Sequence, residues 1–185
     1  YFKDWSKNKT FIQEDKPAIY FYRQQYNLKG EKKTRIGFIT LLYLEDKKPS
    51  IFGHEHTRLE PKEDRLRLLN PVKANLSPIF VLFSDRKRII QRTYQQYIQD
   101  KAAFIDIIDD EKIAHKLWRI DSQGVLDRLQ GDMQGANIFI ADGHHRYEVA
   151  CTYRDKMKKK LGNITGDEGF NYILAYFTNT ESRGV

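Results

Sequence analysis

One cysteine, Cys151, occurs in 185 residues, so no disulfide can form within the chain. That fits a reducing compartment, and a cytoplasmic location is expected. No apolar run approaches the length of a membrane span, and no secretory signal pattern opens the sequence, so no membrane partner is expected. Internal repeats are missing, as is any linker that would divide the chain, which predicts one domain over residues 1–185. There is no Walker-type Gly-Lys-Ser/Thr loop and no Gly-x-Gly-x-x-Gly turn. A standard P-loop kinase and a dinucleotide enzyme are therefore disfavoured.

Hydrophobic residues make up 40% of the chain, with 11 Phe and 11 Tyr, enough for a substantial core. The formal net charge is +7, gathered in the runs Lys29–Arg35, Arg86–Arg92 and Lys156–Lys160. Such a balance permits nucleic acid or acidic ligands as partners. Yet the first run reads as a hairpin turn and the last as an exposed helix end. Neither interleaves aromatics with cations as a single-strand groove does, so solvated faces are the favoured reading over nucleic acid.

Tyr1–Asp15 shows no clear period. Ala18–Leu28 and Thr34–Leu44 are rich in aromatic and β-branched residues and predict an antiparallel hairpin around Lys29–Lys32. Ile51–Thr57 runs from apolar residues into His54-Glu55-His56-Thr57. Alternation there places Glu55 and Thr57 on one side and His54 and His56 on the other. Pro61 suits the first turn of a helix over Lys62–Asn70, which Asn70-Pro71 would end. Ile79–Phe83 predicts a short strand and Lys87–Ile98 a helix. Phe104–Ile108 and Ile113–Ile120 predict two more strands, with His115 as a pairing or surface residue, and Ser122–Met133 another helix. Phe170–Phe177 reads as a last strand. Strands and helices mixed in this way predict an α+β class with helices packed on a mixed sheet.

The chain is organised around Asn137–Ala150, NIFIADGHHRYEVA. Ile138-Phe139-Ile140-Ala141 suits a buried strand. Asp142-Gly143 breaks it, with Asp142 a good N-cap and Gly143 suited to a tight turn. A helix follows, with Tyr147, Ala150 and Cys151 on one face, and Cys151 reads as a small core residue. His144, His145 and Arg146 then occupy the first turn, where unpaired backbone N–H groups and the positive end of the dipole favour anions. Phosphate is the anion this arrangement suits best. Lys62 and Arg65 lie on one helical face, so both could reach the same anion.

Ala141-Asp142-Gly143-His144-His145-Arg146-Tyr147-Glu148-Val149-Ala150 resembles the hallmark of DUF1015, a bacterial and archaeal family of unknown function. His54-Glu55-His56-Thr57, Pro61–Leu66 and Thr34-Arg35-Ile36-Gly37-Phe38 agree with it, and the resemblance runs from about Ala18 to the end. Members are about twice this long, which with the missing initiator Met implies a fragment short of a part at each end. Gly53 stands where a proline is common in that family, and His56 where an arginine is common. The turn is also similar to the Gly-Glu-Arg-Arg-Tyr-type box of ParB-like domains and the Gly-Gly-Cys-His-Arg-Tyr box of sulfiredoxins. There the start of the helix holds nucleotide phosphates. His144 falls where sulfiredoxins carry the reactive cysteine, so that chemistry is not expected. The ParB-like group includes nucleotide hydrolases and small-molecule kinases, and the likeness implies ATP or ADP with Mg²⁺ as cofactor.

These readings lead to a phosphate- or nucleotide-binding domain acting as a small-molecule phosphotransferase or nucleotide hydrolase. Phosphoryl transfer is positioning plus stabilisation of negative charge. Phosphate binding is expected of Gly143, His144, His145, Arg146, Lys62 and Arg65. Catalysis is expected of Glu55, as base or magnesium ligand, with His54 and His144, and metal binding of Asp142 and Glu55. The partner is then a nucleotide or phosphorylated small molecule. One alternative is a metal-dependent hydrolase using Zn, Mn or Fe on the His/Glu/Asp set, although no His-Glu-x-x-His is present. Another is a non-catalytic nucleotide-sensing or nucleic-acid-binding module.

Overall fold

The computed structural model describes residues 1–45, 50–55 and 59–181. His56 and Thr57 lie outside these residues. A short helix α1 (Phe2–Lys7) opens the chain and packs Trp5 edge-on against Phe11. The predicted hairpin follows as β1 (Ile19–Leu28) and β2 (Glu31–Tyr43), in register from Tyr20↔Ile39 to Leu28↔Glu31. Its turn is Lys29-Gly30, both at positive φ, the geometry whose twist matches paired strands. β3 (Ile51–Phe52) has only two residues. α2 (Leu59–Val72) runs past the stop predicted at Asn70. Pro71 lies in the last turn, where little helix remains for it to disrupt, and Lys73, at φ 54, ends the element by donating to the Leu69 carbonyl.

β4 (Ile79–Phe83) leads into α3 (Ile89–Tyr97). The buried Asp85 carboxylate accepts the Ile89 and Ile90 N–H groups at 2.6 and 3.0 Å, which satisfies the helix start. β5 (Ile105–Ile108), β6 (Ala114–Ile120) and α4 (Gln123–Met133) match the sequence reading closely, with Val125 and Leu129 buried. β7 (Ile138–Asp142), α5 (His144–Leu161), a 3-10 turn at Gly169–Asn171 and β8 (Tyr172–Asn179) complete the chain. The class is α+β, as expected.

All eight strands form one mixed sheet in the order β3-β7-β4-β8-β2-β1-β6-β5. β3 pairs parallel with β7 and β4 parallel with β8, while the other neighbours are antiparallel. One sheet face carries Phe21, Phe38, Val81, Phe83, Trp118 and Phe177, all buried in a single cluster with residues of α3, α4 and α5. Burying each such side chain contributes about 1.5–3 kcal/mol. Gly37 lets β2 approach β8 closely. A Cβ there would lie 1.9 Å from the Phe177 carbonyl oxygen and 2.7 Å from the Tyr176 ring. The opposite face carries Tyr22, Leu41, Phe52, Phe139 and Ile107, the last four more than two-fifths exposed. Among the described residues, no helix is long and apolar enough to cross a membrane.

α2 and α5 lie side by side and run the same way. Lys62, near the start of α2, pairs with Glu148 near the start of α5, and Asn70 accepts a bond from Lys156 further along. The N-terminal ends of two helices therefore meet at the same edge of the molecule. The far end of α5 carries Lys158, Lys159 and Lys160, which complement its dipole.

Candidate phosphate-binding turn

β7 hands the chain to α5 through Gly143. Its φ of 93° is in the left-handed region, which favours glycine. Space demands the same: a Cβ would lie 2.8 Å from Ile79 Cγ2 and 3.0 Å from the Arg146 guanidinium. The glycine that the sequence reserved for a close anion is thus also required by its own neighbours. Gly143 is the N-cap residue, and no side chain caps the helix among the described residues. This corrects the N-cap expected of Asp142. That residue is still the last of β7, and its carboxylate instead accepts Arg146 Nη2 at 2.5 Å.

His144 is 3% exposed. Its Nε2 accepts the backbone N–H of His54 at 3.2 Å, and the two imidazoles meet edge-on with centroids 4.6 Å apart. An acceptor at Nε2 leaves the ring proton on Nδ1. Nδ1 lies 3.2 Å from the Glu55 carboxylate, close enough for an ion pair but without hydrogen-bond alignment. The ring is also pressed against Gly53, where a Cβ would stand 3.1 Å from His144 Cδ2. His54 and Glu55 thus both reach His144. Expected strand alternation had separated them, but β3 stops at Phe52 and the following residues are no longer bound to that alternation.

Arg146 points to the other side of α5. Its guanidinium donates to the Ser77 hydroxyl at 3.0 Å, to the Pro78 carbonyl and to Asp142. It ties the turn to the loop before β4. Lys62 is bound to Glu148 at 2.5 Å. Arg65 is exposed and shares with Arg146 and Ser77 a cavity of about 80 Å³, floored by Leu69, Val149 and Ile173. His145 is half-buried in the same first turn. Further along α5, Cys151 packs against the core, and burial pushes its thiol up.

Among the described residues, no three His, Cys, Asp or Glu side chains converge as metal ligands. Magnesium needs only one or two carboxylates when phosphates complete its shell, so Asp142 and Glu55 retain that chemistry. Glu148, Ser77 and Pro78 were not singled out from the sequence. Glu148 lies inside the hallmark stretch, and its position one turn from His144 was the available signal.

No curated protein and no solved structure matches the chain, so the likeness to ParB-like domains and sulfiredoxins rests on the residues of the turn. One family does match, from the first residue rather than from Ala18. Over residues 1–185 the chain fits the family described as "Protein of unknown function (DUF1015)", and it belongs to that family.

Proposed function

We propose that the start of α5 binds the phosphates of a nucleotide or another phosphorylated small molecule, and that the domain acts as a phosphotransferase or nucleotide hydrolase. One observation carries this reading. The N-terminal turn of α5, which no side chain caps among the described residues, faces the Gly53–Glu55 segment, and α2 begins beside it, so two helix dipoles present their positive ends together. Arg65 and Arg146 add positive charge on the neighbouring side. Glu55, with its carboxylate 3.2 Å from His144 Nδ1, orients a hydroxyl or holds Mg²⁺ in this reading. ATP or ADP with Mg²⁺ is the proposed cofactor.

The test is isothermal titration of the protein with pyrophosphate, ADP and ATP, with and without Mg²⁺. Binding of at least one is expected. Arg65→Ala, an exposed change, should weaken it by about ten-fold, the 1.4 kcal/mol of a modest charged contact. Arg146→Lys should weaken it too, because an ammonium cannot copy the fork that Ser77, Pro78 and Asp142 hold. If the wild type binds none of the three ligands, the reading fails.

A further inference from the structure

A second cluster of reactive groups lies on the sheet face opposite the helices. Asp109, in the turn between β5 and β6, accepts the Ile113 N–H at 2.8 Å with one carboxylate oxygen. Its other oxygen lies 2.9 Å from His115 Nε2. These contacts hold the carboxyl of Asp109 below its usual range, the His115 bond first among them. An ionised carboxylate can only accept, so Nε2 carries the ring proton and Nδ1 presents its lone pair. The Tyr22 hydroxyl is 2.6 Å from Nδ1 and therefore donates to it. The order carboxylate, imidazole, hydroxyl is that of a hydrolase triad, with a phenol in place of an aliphatic alcohol.

The surroundings point to an anionic ligand. Tyr176, 7% exposed, packs its ring edge-on against Tyr22 at 5.5 Å. Its hydroxyl is buried without a hydrogen-bond partner among the described residues. Phe80 stacks on Tyr176, and the Arg35 guanidinium lies 5.4 Å from the Phe80 ring. Gly37 pairs with Tyr22 across the hairpin and leaves room for the Tyr176 ring. The stretch Thr34–Phe38 thus supplies both the cation and the clearance on this face, neither of which the phosphate-binding turn uses.

We propose that Tyr22 is a nucleophile toward phosphoryl esters, with His115 as its general base, Asp109 as the residue that orients His115, and Arg35 and the Tyr176 hydroxyl holding the ester's negative charge. In the step, Tyr22 Oη bonds to phosphorus as the bond to the ester oxygen breaks. The phenolic proton passes to His115 Nδ1, and the imidazolium then returns it to the departing oxygen. The product is a phosphotyrosyl adduct and a free alcohol.

The probe is the 4-nitrophenyl methylphosphonate monoanion, which releases 4-nitrophenolate when it phosphonylates a nucleophile. Peptide mass spectrometry should place the adduct on Tyr22, in preference to the more exposed Tyr43, which is 42% exposed. Release should fall at least about ten-fold in His115→Ala, in Asp109→Asn and in Arg35→Met, and be lost in Tyr22→Phe. Asp109→Asn keeps the shape of the turn, so it remains informative if circular dichroism shows His115→Ala to be unfolded. An adduct on Tyr43 with Tyr22 unmodified would overturn the proposal. So would labelling of Tyr22 at an unchanged rate in folded Asp109→Asn.

Discussion

The imidazole of His144 accepts a hydrogen bond from the backbone of His54, ninety positions earlier in the sequence. Two segments that look unrelated in the chain are joined there by a single nitrogen atom. The bond fixes the tautomer of His144 and holds the Gly53–Glu55 segment over the start of α5.

Replacing His144 by phenylalanine preserves most of the ring volume but removes the acceptor. The His54 N–H then loses its partner in a half-buried position. A destabilisation of about 1–3 kcal/mol is expected from an unsatisfied donor of this kind. Urea denaturation should show the midpoint falling at constant slope, and an unchanged midpoint would show that the bond contributes nothing.

Gly37→Ala should be costly although the change adds one methyl group. The added Cβ would overlap the Phe177 carbonyl, which is backbone and cannot rotate away. A loss of about 3 kcal/mol, at the upper end of overpacking, is expected. Gly131→Ala, inside α4 with open space around it, should instead stabilise by about 0.5–1 kcal/mol. Thermal melts of the two variants should move in opposite directions, and a common direction would refute the steric account.

Glu168 offers a pH test. Its carboxylate accepts the Thr165 N–H at 2.7 Å and the Gly166 N–H at 3.0 Å, and these bonds hold it at about 2, below the ordinary 4.5. A depressed carboxylate stabilises the loop fully above its unfolded value. That contribution disappears as pH falls from 4.5 toward about 2. Amide shifts of Thr165 and Gly166 should therefore move only in the more acid part of that window and stay flat in Glu168→Gln. A transition centred at 4.5 would contradict the bonding.

Burial raises the Cys151 thiol, with Tyr147 and Arg154 as its polar neighbours. The native protein at pH 8 should therefore react with a disulfide reagent at least about ten-fold more slowly than the urea-unfolded chain, since the thiolate is the attacking form. Cys151→Ser should leave nucleotide binding unchanged. Equal reactivity in the two states would place the thiol outside the core.

Much of the architecture was legible because local pattern and final environment agree. Ile79–Phe83, Ser122–Met133 and the Lys29-Gly30 hairpin carry periodicity or turn chemistry that no tertiary contact overrides. The α5 turn was legible for the same reason: an apolar run, a glycine and a basic first turn occur in sequence. What escaped is what depends on distant partners. Asp142 looks like a cap until Arg146, held by Ser77 and Pro78, is seen to draw its carboxylate away. The pairing of Lys62 with Glu148, across two helices, was likewise invisible in the local sequence. His115 looks like an ordinary strand residue, because Tyr22 and Asp109 reach it only through strand pairing and a turn. Pairing partners across a sheet carry no mark in the local sequence.

The brevity of β3 has a consequence for any ligand at the α5 turn. The strand is held by the two pairs Ile51↔Ile138 and Phe52↔Phe139 at the edge of the sheet, and His54 and Glu55 follow directly from it. Short edge ladders open at far lower free energy than the whole domain. The assembled state of the turn is therefore governed by a local equilibrium rather than by global stability. A ligand that grips both the Gly53–Glu55 segment and α5 draws that equilibrium toward the closed form by mass action. Slowed deuterium uptake at the edge strand would then register occupancy of the turn, alongside the rise in melting temperature that the same binding produces.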